Sequence, residues 1–293
     1  MSLSHTTHYL RRPDGRRLAY ELLGTPNGQP VFYCHGFPSS RQEARLLHQA
    51  ALATQVRLIA ADRPGYGGSD HHPERRIADW AHDLAALADH LELNRFALLG
   101  LSGGGPYALA GAWHLEERVQ KCALVCPLGP IAQPTLMQQM QWSARLNLAF
   151  AQRAPQLAHW LYGGLTAQLL AANPHWVEKM RTWSAPPSDH AALASGDTLA
   201  ILRQTIIDAM GNGAYGARCD LLLYTQPWEI PLTAIQTPID IWHGDADGTV
   251  PLGHAHWYAA QLPQVALYER PGHGHYSLPL QEAVSILRTL IHN

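Results

Sequence analysis

The sequence predicts an α/β protein built on a mostly parallel sheet of eight strands flanked by helices. Three observations predict it. Short apolar runs alternate with segments of helical period, the runs end in loops rich in glycine, and the alternation breaks off once, from about 127 to 235, before resuming. Strands separated by helices require crossovers, which are right-handed and make neighbouring strands parallel. On such sheets ligands bind at the carboxyl ends of the strands, which is where every one of these loops falls.

Taken in order, Thr6 to Arg12 and Arg16 to Leu22 alternate in polarity around the turn Pro13-Asp14-Gly15 and predict an antiparallel hairpin at the sheet edge. Pro30 to Cys34 is a continuous apolar run, as a strand covered on both faces should be. It enters the loop His35 to Ser40, and a helix follows over about 42–53. Val56 to Ala61 is the next strand, ending in Asp62 to Asp70. Residues 77–91 carry a helical period, with Ile77, Trp80, Ala81, Leu84, Leu87, Ala88 and Leu91 on one side. A strand beginning at Phe96, a helix of small residues and a strand over Lys121 to Cys126 complete the first half. Cys122 and Cys126, four residues apart, are expected on one side of that strand as buried free thiols.

The segment 127–235 is helical and broken by prolines, far longer than the dozen or so residues a crossover needs. It carries Trp142, Trp160, Trp176, Trp183 and Trp228, most of which are expected to pack against the main domain. The sheet pattern resumes at Pro238 to Trp242, followed by a helix over about 252–262, a strand over Val265 to Tyr268 and an amphipathic helix over about 279–292.

Composition narrows the function. A net charge of −2 over 293 residues gives no general attraction for nucleic acid or anionic membrane. No apolar run approaches the ~20 residues of a bilayer span. The first residues lack the apolar core of a signal peptide, so a cytoplasmic location is expected. Four cysteines in a chain this long are not a disulfide framework. Eighteen histidines raise the question of a metal, but no His-Glu-x-x-His occurs, and His71-His72 and His254-x-His256 lack partners at ligand spacing. No metal and no cofactor are expected. The expected partner is a small-molecule substrate, and a homodimer is left open.

Chemistry centres on Phe96 to Ala110, where Ser102 stands in Gly100-Leu101-Ser102-Gly103-Gly104 between a strand and a helix. So tight a bend forces the serine backbone into strain and needs neighbours without β-carbons. It lifts the hydroxyl above the strand ends, beside the free N–H groups of a helix start. Alone, such a motif could equally be a glycine-rich phosphate loop. The rest of the chain removes that alternative. A serine nucleophile needs a base, and the base needs an acid to hold its tautomer. Asp245 or Asp247, then His273 or His275, follow later strands in that order.

Four separated motifs, HGFP at 35–38, DRPGYGGSD at 62–70, GLSGGGP at 100–106, and HGDADGTVP at 243–251 with GHGHYSL at 272–278, resemble the α/β-hydrolase fold superfamily in its capped, esterase-like serine hydrolase branch. The resemblance implies an eight-stranded core domain over 1–126 and 236–293 and a helical cap over 127–235, inserted after the sixth strand. It implies Asp247 as the acid, with Asp245 the alternative, and His275 as the base, with His273 supporting the loop. The segment Pro127 to Pro134 offers no acid. The oxyanion donors would be the backbone N–H of Gly103, which follows from its place after the nucleophile, and that of Phe37, which rests on the resemblance. Phe37 and Trp142 are expected to wall the substrate pocket, His35 and Gly36 to shape the oxyanion loop, Asp62 and Arg63 to form a structural turn, and Cys126 to be buried filler. The activity implied is hydrolysis of small to medium apolar carboxylic esters through an acyl-enzyme. Carbon–carbon bond hydrolysis, amide or lactone cleavage and peroxidation on the same triad are the alternatives, and a non-hydrolytic ligand receptor is a more distant one. Epoxide hydrolases and haloalkane dehalogenases of this fold use aspartate as nucleophile, and Ser102 argues against both.

Overall fold

In the computed structural model, which describes residues 6–163, 169, 172–173 and 185–291, eight strands form one sheet. They are β1 (His8–Arg11), β2 (Arg17–Gly24), β3 (Gln29–Cys34), β4 (Val56–Ala61), β5 (Phe96–Leu101), β6 (Val119–Val125), β7 (Ile239–Gly244) and β8 (Val265–Arg270). Their spatial order is β1-β2-β4-β3-β5-β6-β7-β8. Only the β1–β2 and β2–β4 pairs are antiparallel; the others are parallel. The hairpin registers Tyr9 against Ala19.

Both faces of the central strands are covered, and successive residues divide between them as a period of two requires. Phe32, Leu98 and Leu124 pack on one side with α2 (Trp80–His90) and α3 (Gly105–His114). Val31, Tyr33, Leu99 and Val125 pack on the other with α1 (His48–Ala53) and the C-terminal helices. Cys122 and Cys126 do not share a face: they join opposite cores. The strand ends at Val125, and Cys126 adopts φ +47°, so the turn of the chain cancels the even spacing.

Three helices differ from their sequence reading. The stretch 42–53 is a 3₁₀-helix, Arg41–Leu47, followed by α1. Its first residues are held individually by distant groups, Arg41 by Asp62 and Gln42 by Asp208, which overrides simple α-helical propagation. Helix α2 begins at Trp80, three residues after Ile77. The last helix is divided at Glu282 into Ser277–Gln281 and Ala283–Ile291.

Between β6 and β7 the described residues form helices and no strand. They comprise α4 (Pro134–Gln139), α5 (Trp142–Arg153), α6 (Pro155–Gly163), α7 (Pro187–Leu193), α8 (Gly196–Met210) and α9 (Tyr215–Tyr224). Continuing the numbering, α10 is Gly253–Ala259, α11 Ser277–Gln281 and α12 Ala283–Ile291. Of the five tryptophans here, most of which are expected to pack inward, Trp228 is buried, whereas Trp142 and Trp160 are exposed. Trp176 and Trp183 lie outside the described residues. No described helix is long and apolar enough to cross a membrane.

Candidate active site

Parallel pairing brings the carboxyl ends of β3 to β8 to one edge, and the loops singled out in the sequence meet there. Ser102 follows β5 with φ +53°, left-handed backbone that costs a non-glycine residue about 1–3 kcal/mol. The bend survives because the two residues after it, Gly103 and Gly104, have no side chains. A β-carbon on Gly104 would lie 2.0 Å from the Cys34 carbonyl oxygen, and one on Gly103 would meet Tyr224 Oη at 2.6 Å.

The hydroxyl meets a histidine from the other end of the chain. His275 Nε2 lies 3.1 Å from Ser102 Oγ, and His275 Nδ1 lies 2.7 Å from Asp247 Oδ2. Asp247 Oδ1 accepts from the N–H groups of Thr249 and Val250, both at 2.8 Å. Burial pushes this carboxyl upward, but the His275 charge and hydrogen bond, His243 and the Val250 amide outweigh it and hold the carboxyl below its ordinary range. Asp245 is exposed and accepts from Gly272 N–H at 2.7 Å, a bond that joins the loops after β7 and β8. The His273 carbonyl accepts from Ala246 N–H at 3.0 Å and packs against Gly244, joining the same two loops.

Two peptides beside Ser102 are held by their carbonyls. Gly36 O accepts from Arg63 Nη2 at 2.9 Å and from His35 Nδ1 at 3.0 Å. His35 Nε2 in turn accepts from Arg63 N–H at 3.2 Å, and burial with the Arg63 charge keeps the imidazole neutral, well below its ordinary pKa. Ser102 O accepts from Leu128 N–H at 3.0 Å and from the Gly105 amide. A trans peptide turns its N–H opposite its carbonyl, so the Phe37 and Gly103 amides are each aimed away from these anchors. Phe37 and Ser102 line one cavity of about 420 Å³. The segment between β6 and β7 contributes Gln141, Ala144, Leu202 and Met210 to its wall, and the rest of the chain contributes Leu46, Leu99, Val125 and Ile286.

Trp142 is not part of that wall. It stands 77% exposed on the first turn of α5, and Ala144, about 200° further round the helix, faces the cavity instead.

Several contributing residues have no local signal in the sequence. Asp189 of α7 is buried; its Oδ1 accepts from Ser277 N–H and Ser277 Oγ, both at 2.7 Å, and from Tyr276 N–H at 3.1 Å, clamping the turn after His275. Asp220 of α9 is buried and accepts from Tyr66 Oη at 2.9 Å, Tyr107 Oη at 2.5 Å, Arg63 Nε at 3.0 Å and Arg75. Burial would raise this carboxyl, but Arg75 and Arg63 drive it far below its ordinary range. Tyr224 Oη donates to the Gly103 carbonyl at 2.8 Å. Asp62 accepts from Arg41 and Gly68 N–H and so shapes the turn it belongs to.

Among the described residues, Cys126, His243 and Asp247 bring donor atoms within 4.8 Å of one another. Those atoms are engaged: both Asp247 oxygens have partners, His243 Nε2 donates to Val250 O at 2.8 Å, and burial beside Asp247 pushes the Cys126 thiol well up. The same burial argues against Cys126 as a nucleophile.

A family model for the alpha/beta hydrolase fold matches residues 29–280. The chain belongs to the α/β-hydrolase fold family. Among curated proteins, it is 35% identical over 120 residues to a non-heme chloroperoxidase of Streptomyces lividans, covering 40% of this chain and 44% of that protein. It is 34% identical over 116 residues to the dihydrolipoyllysine-residue acetyltransferase component of the acetoin cleaving system of Pseudomonas putida, covering 39% and 31%. The chain thus spans less than half the length of either relative. Among solved structures, an esterase from Rhodococcus sp. ECU1013 superposes with a TM-score of 0.68 at 22% identity over 98% of each chain. A thermophilic esterase from Thermogutta terrifontis gives 0.67 at 22% over 98% of this chain and 96% of that one. The epoxide hydrolase CorEH gives 0.73 at 18% over 98% of each. At these identities the likeness is one of fold.

Proposed function

We propose that this α/β hydrolase cleaves carboxylic esters of small to medium apolar substrates, with Ser102 as nucleophile, His275 as base and Asp247 as the acid that orients it. The observation that carries the reading is the continuous hydrogen-bonded sequence from Ser102 Oγ through His275 to Asp247, opening on a largely apolar cavity. Attack by Ser102 on the ester carbonyl transfers its proton to His275 Nε2, and the oxyanion meets the N–H groups of Gly103 and Phe37. His275 then gives that proton to the leaving alcohol, and the acyl-enzyme is hydrolysed by a water that His275 deprotonates. Helices of the segment 127–235 act as a cap over the cavity in this reading.

A graded panel of p-nitrophenyl esters, run beside Ser102→Ala, tests it. Turnover by the wild type, with none in the variant and covalent labelling of Ser102 by a fluorophosphonate, is the expected result. Turnover retained by Ser102→Ala removes the nucleophile. A second reading, perhydrolysis on the same triad, is favoured by the match to a chloroperoxidase; peroxide-dependent halogenation by the wild type, with little ester turnover, would establish it.

A further inference from the structure

One buried carboxylate in the cavity wall has no part in the triad. Glu43, in the 3₁₀-helix Arg41–Leu47, is 7% exposed and lines the cavity with Ser102. Its Oε2 is occupied, accepting from Tyr33 Oη at 2.9 Å and from Gly36 N–H at 2.7 Å. Its Oε1 receives no donor from the described residues, and none of their cations pairs with it. The two arginines on the same turn face other acids: Arg41 pairs with Asp62 and Glu21, and Arg45 with Glu21. The cavity that Glu43 lines is walled largely by apolar side chains, among them Leu46, Leu47, Leu99, Val125 and Ile286.

A carboxylate in such surroundings is costly unless a charge or further donors meet it. Two donors on one oxygen leave half of its accepting capacity open. An all-apolar substrate would bury that open half without compensation, whereas an ammonium group supplies both charge and donors.

We propose that Glu43 is the recognition group for a cationic amine carried by the substrate, so that the enzyme selects amine-bearing esters over purely aliphatic ones. This rests on the cavity's being the substrate site of the proposed hydrolase and revises the class it takes, adding a cationic amine to an otherwise apolar ester. The ammonium sits against Glu43 Oε1 while its carbon stem lies along Leu46, Leu47 and Leu99. Glu43 thereby has two tasks, as it also holds the Gly36 amide next to the proposed oxyanion peptide.

The test compares 1-aminohexane with 1-hexanol as protectants of Ser102 against fluorophosphonate labelling at pH 7, in the wild type and in Glu43→Gln. Glutamine keeps the size and can still accept from Tyr33 and Gly36 while losing the charge. The amine should protect the wild type about tenfold or more better than the alcohol, the scale of a charge-assisted bond, and Glu43→Gln should bring that ratio near one. Any general damage to the loop affects both ligands and cancels in the ratio. Equal protection of the wild type by both ligands, better protection by the alcohol, or an amine preference that persists in Glu43→Gln would overturn the proposal. If Ser102 is not labelled at all, the hydrolase reading is what fails, and calorimetric titration of the same two ligands into the same two proteins still decides on Glu43.

Discussion

Arg63 Nη2 lies 2.8 Å from Asp220 Oδ2, with both side chains closed to solvent. The pair joins the turn after β4 to α9, 157 residues later. The same guanidinium donates to the carbonyls of His35 and Gly36, and the neighbouring Tyr224 hydroxyl donates to that of Gly103. One buried charge cluster therefore ties α9 to the Gly36–Phe37 peptide, which carries one proposed oxyanion donor, and to the carbonyl of Gly103, the residue whose amide is the other.

Removing one member of a buried pair leaves the other charged and unpaired, which costs about 3–5 kcal/mol. Asp220→Asn and Arg63→Met should each lower the unfolding free energy from urea titration by that order, and the double variant should lose clearly less than the sum. Additive losses in the double-mutant cycle would show that the two groups do not act as a pair.

Asp247 and Asp245 differ by two residues and by environment. Asp247→Asn should lower kcat at least about a hundredfold, since a neutral amide no longer favours the working tautomer and charge of His275. Asp245→Asn, at an exposed loop contact, should leave kcat within about threefold. Steady-state kinetics on one aryl ester checks both, and the reverse ranking would exchange their roles.

Asp189 holds the turn after His275 through three donors on one oxygen. Asp189→Ala should destabilise the protein by about 2–4 kcal/mol, because Ser277 and the Tyr276 amide lose a charged acceptor. It should also lower kcat more than it raises KM, the mark of a misplaced base. Chemical denaturation and steady-state kinetics on the same preparation separate the two effects.

His254 is fully buried, accepts from Gly129 N–H at 2.9 Å and is held by burial at a pKa of about 4. In the unfolded chain it titrates near 6.5. Between these values the unfolded state binds the extra proton, so stability is lost as pH falls from about 6.5 to about 4, by at most about 3 kcal/mol. His254→Asn, which keeps an acceptor for Gly129, should flatten that part of the stability–pH curve. Urea midpoints from pH 7 to 4 that are parallel for the two proteins would refute the assignment.

The fold was legible because its signals are local. Apolar runs such as Pro30 to Cys34 mark strands covered on both faces, the glycines around Ser102 mark a bend with no space for β-carbons, and the spacing of Ile77 to Leu91 marks a helix face. Local signals also misled in places. Cys122 and Cys126 have the parity of one face, yet the φ of +47° at Cys126 parts them. A tryptophan at the start of α5 suggested a pocket wall, and Trp142 faces outward because the helix turns Ala144 to the cavity.

By itself the sequence determined the α/β alternation, the edge at which the glycine-rich loops gather, and Ser102 as the candidate nucleophile with a short list of candidate acids and bases. Tertiary structure showed which members of that list meet, Asp247 against His275 as the resemblance implied, and it alone put Glu43, Asp189 and Asp220 in places no motif announces. The physical reason is range. Backbone preference and hydrophobic period act over a few residues, whereas a buried carboxylate takes its meaning from donors that are 28, 88 or 157 residues away and come close only when the chain is folded.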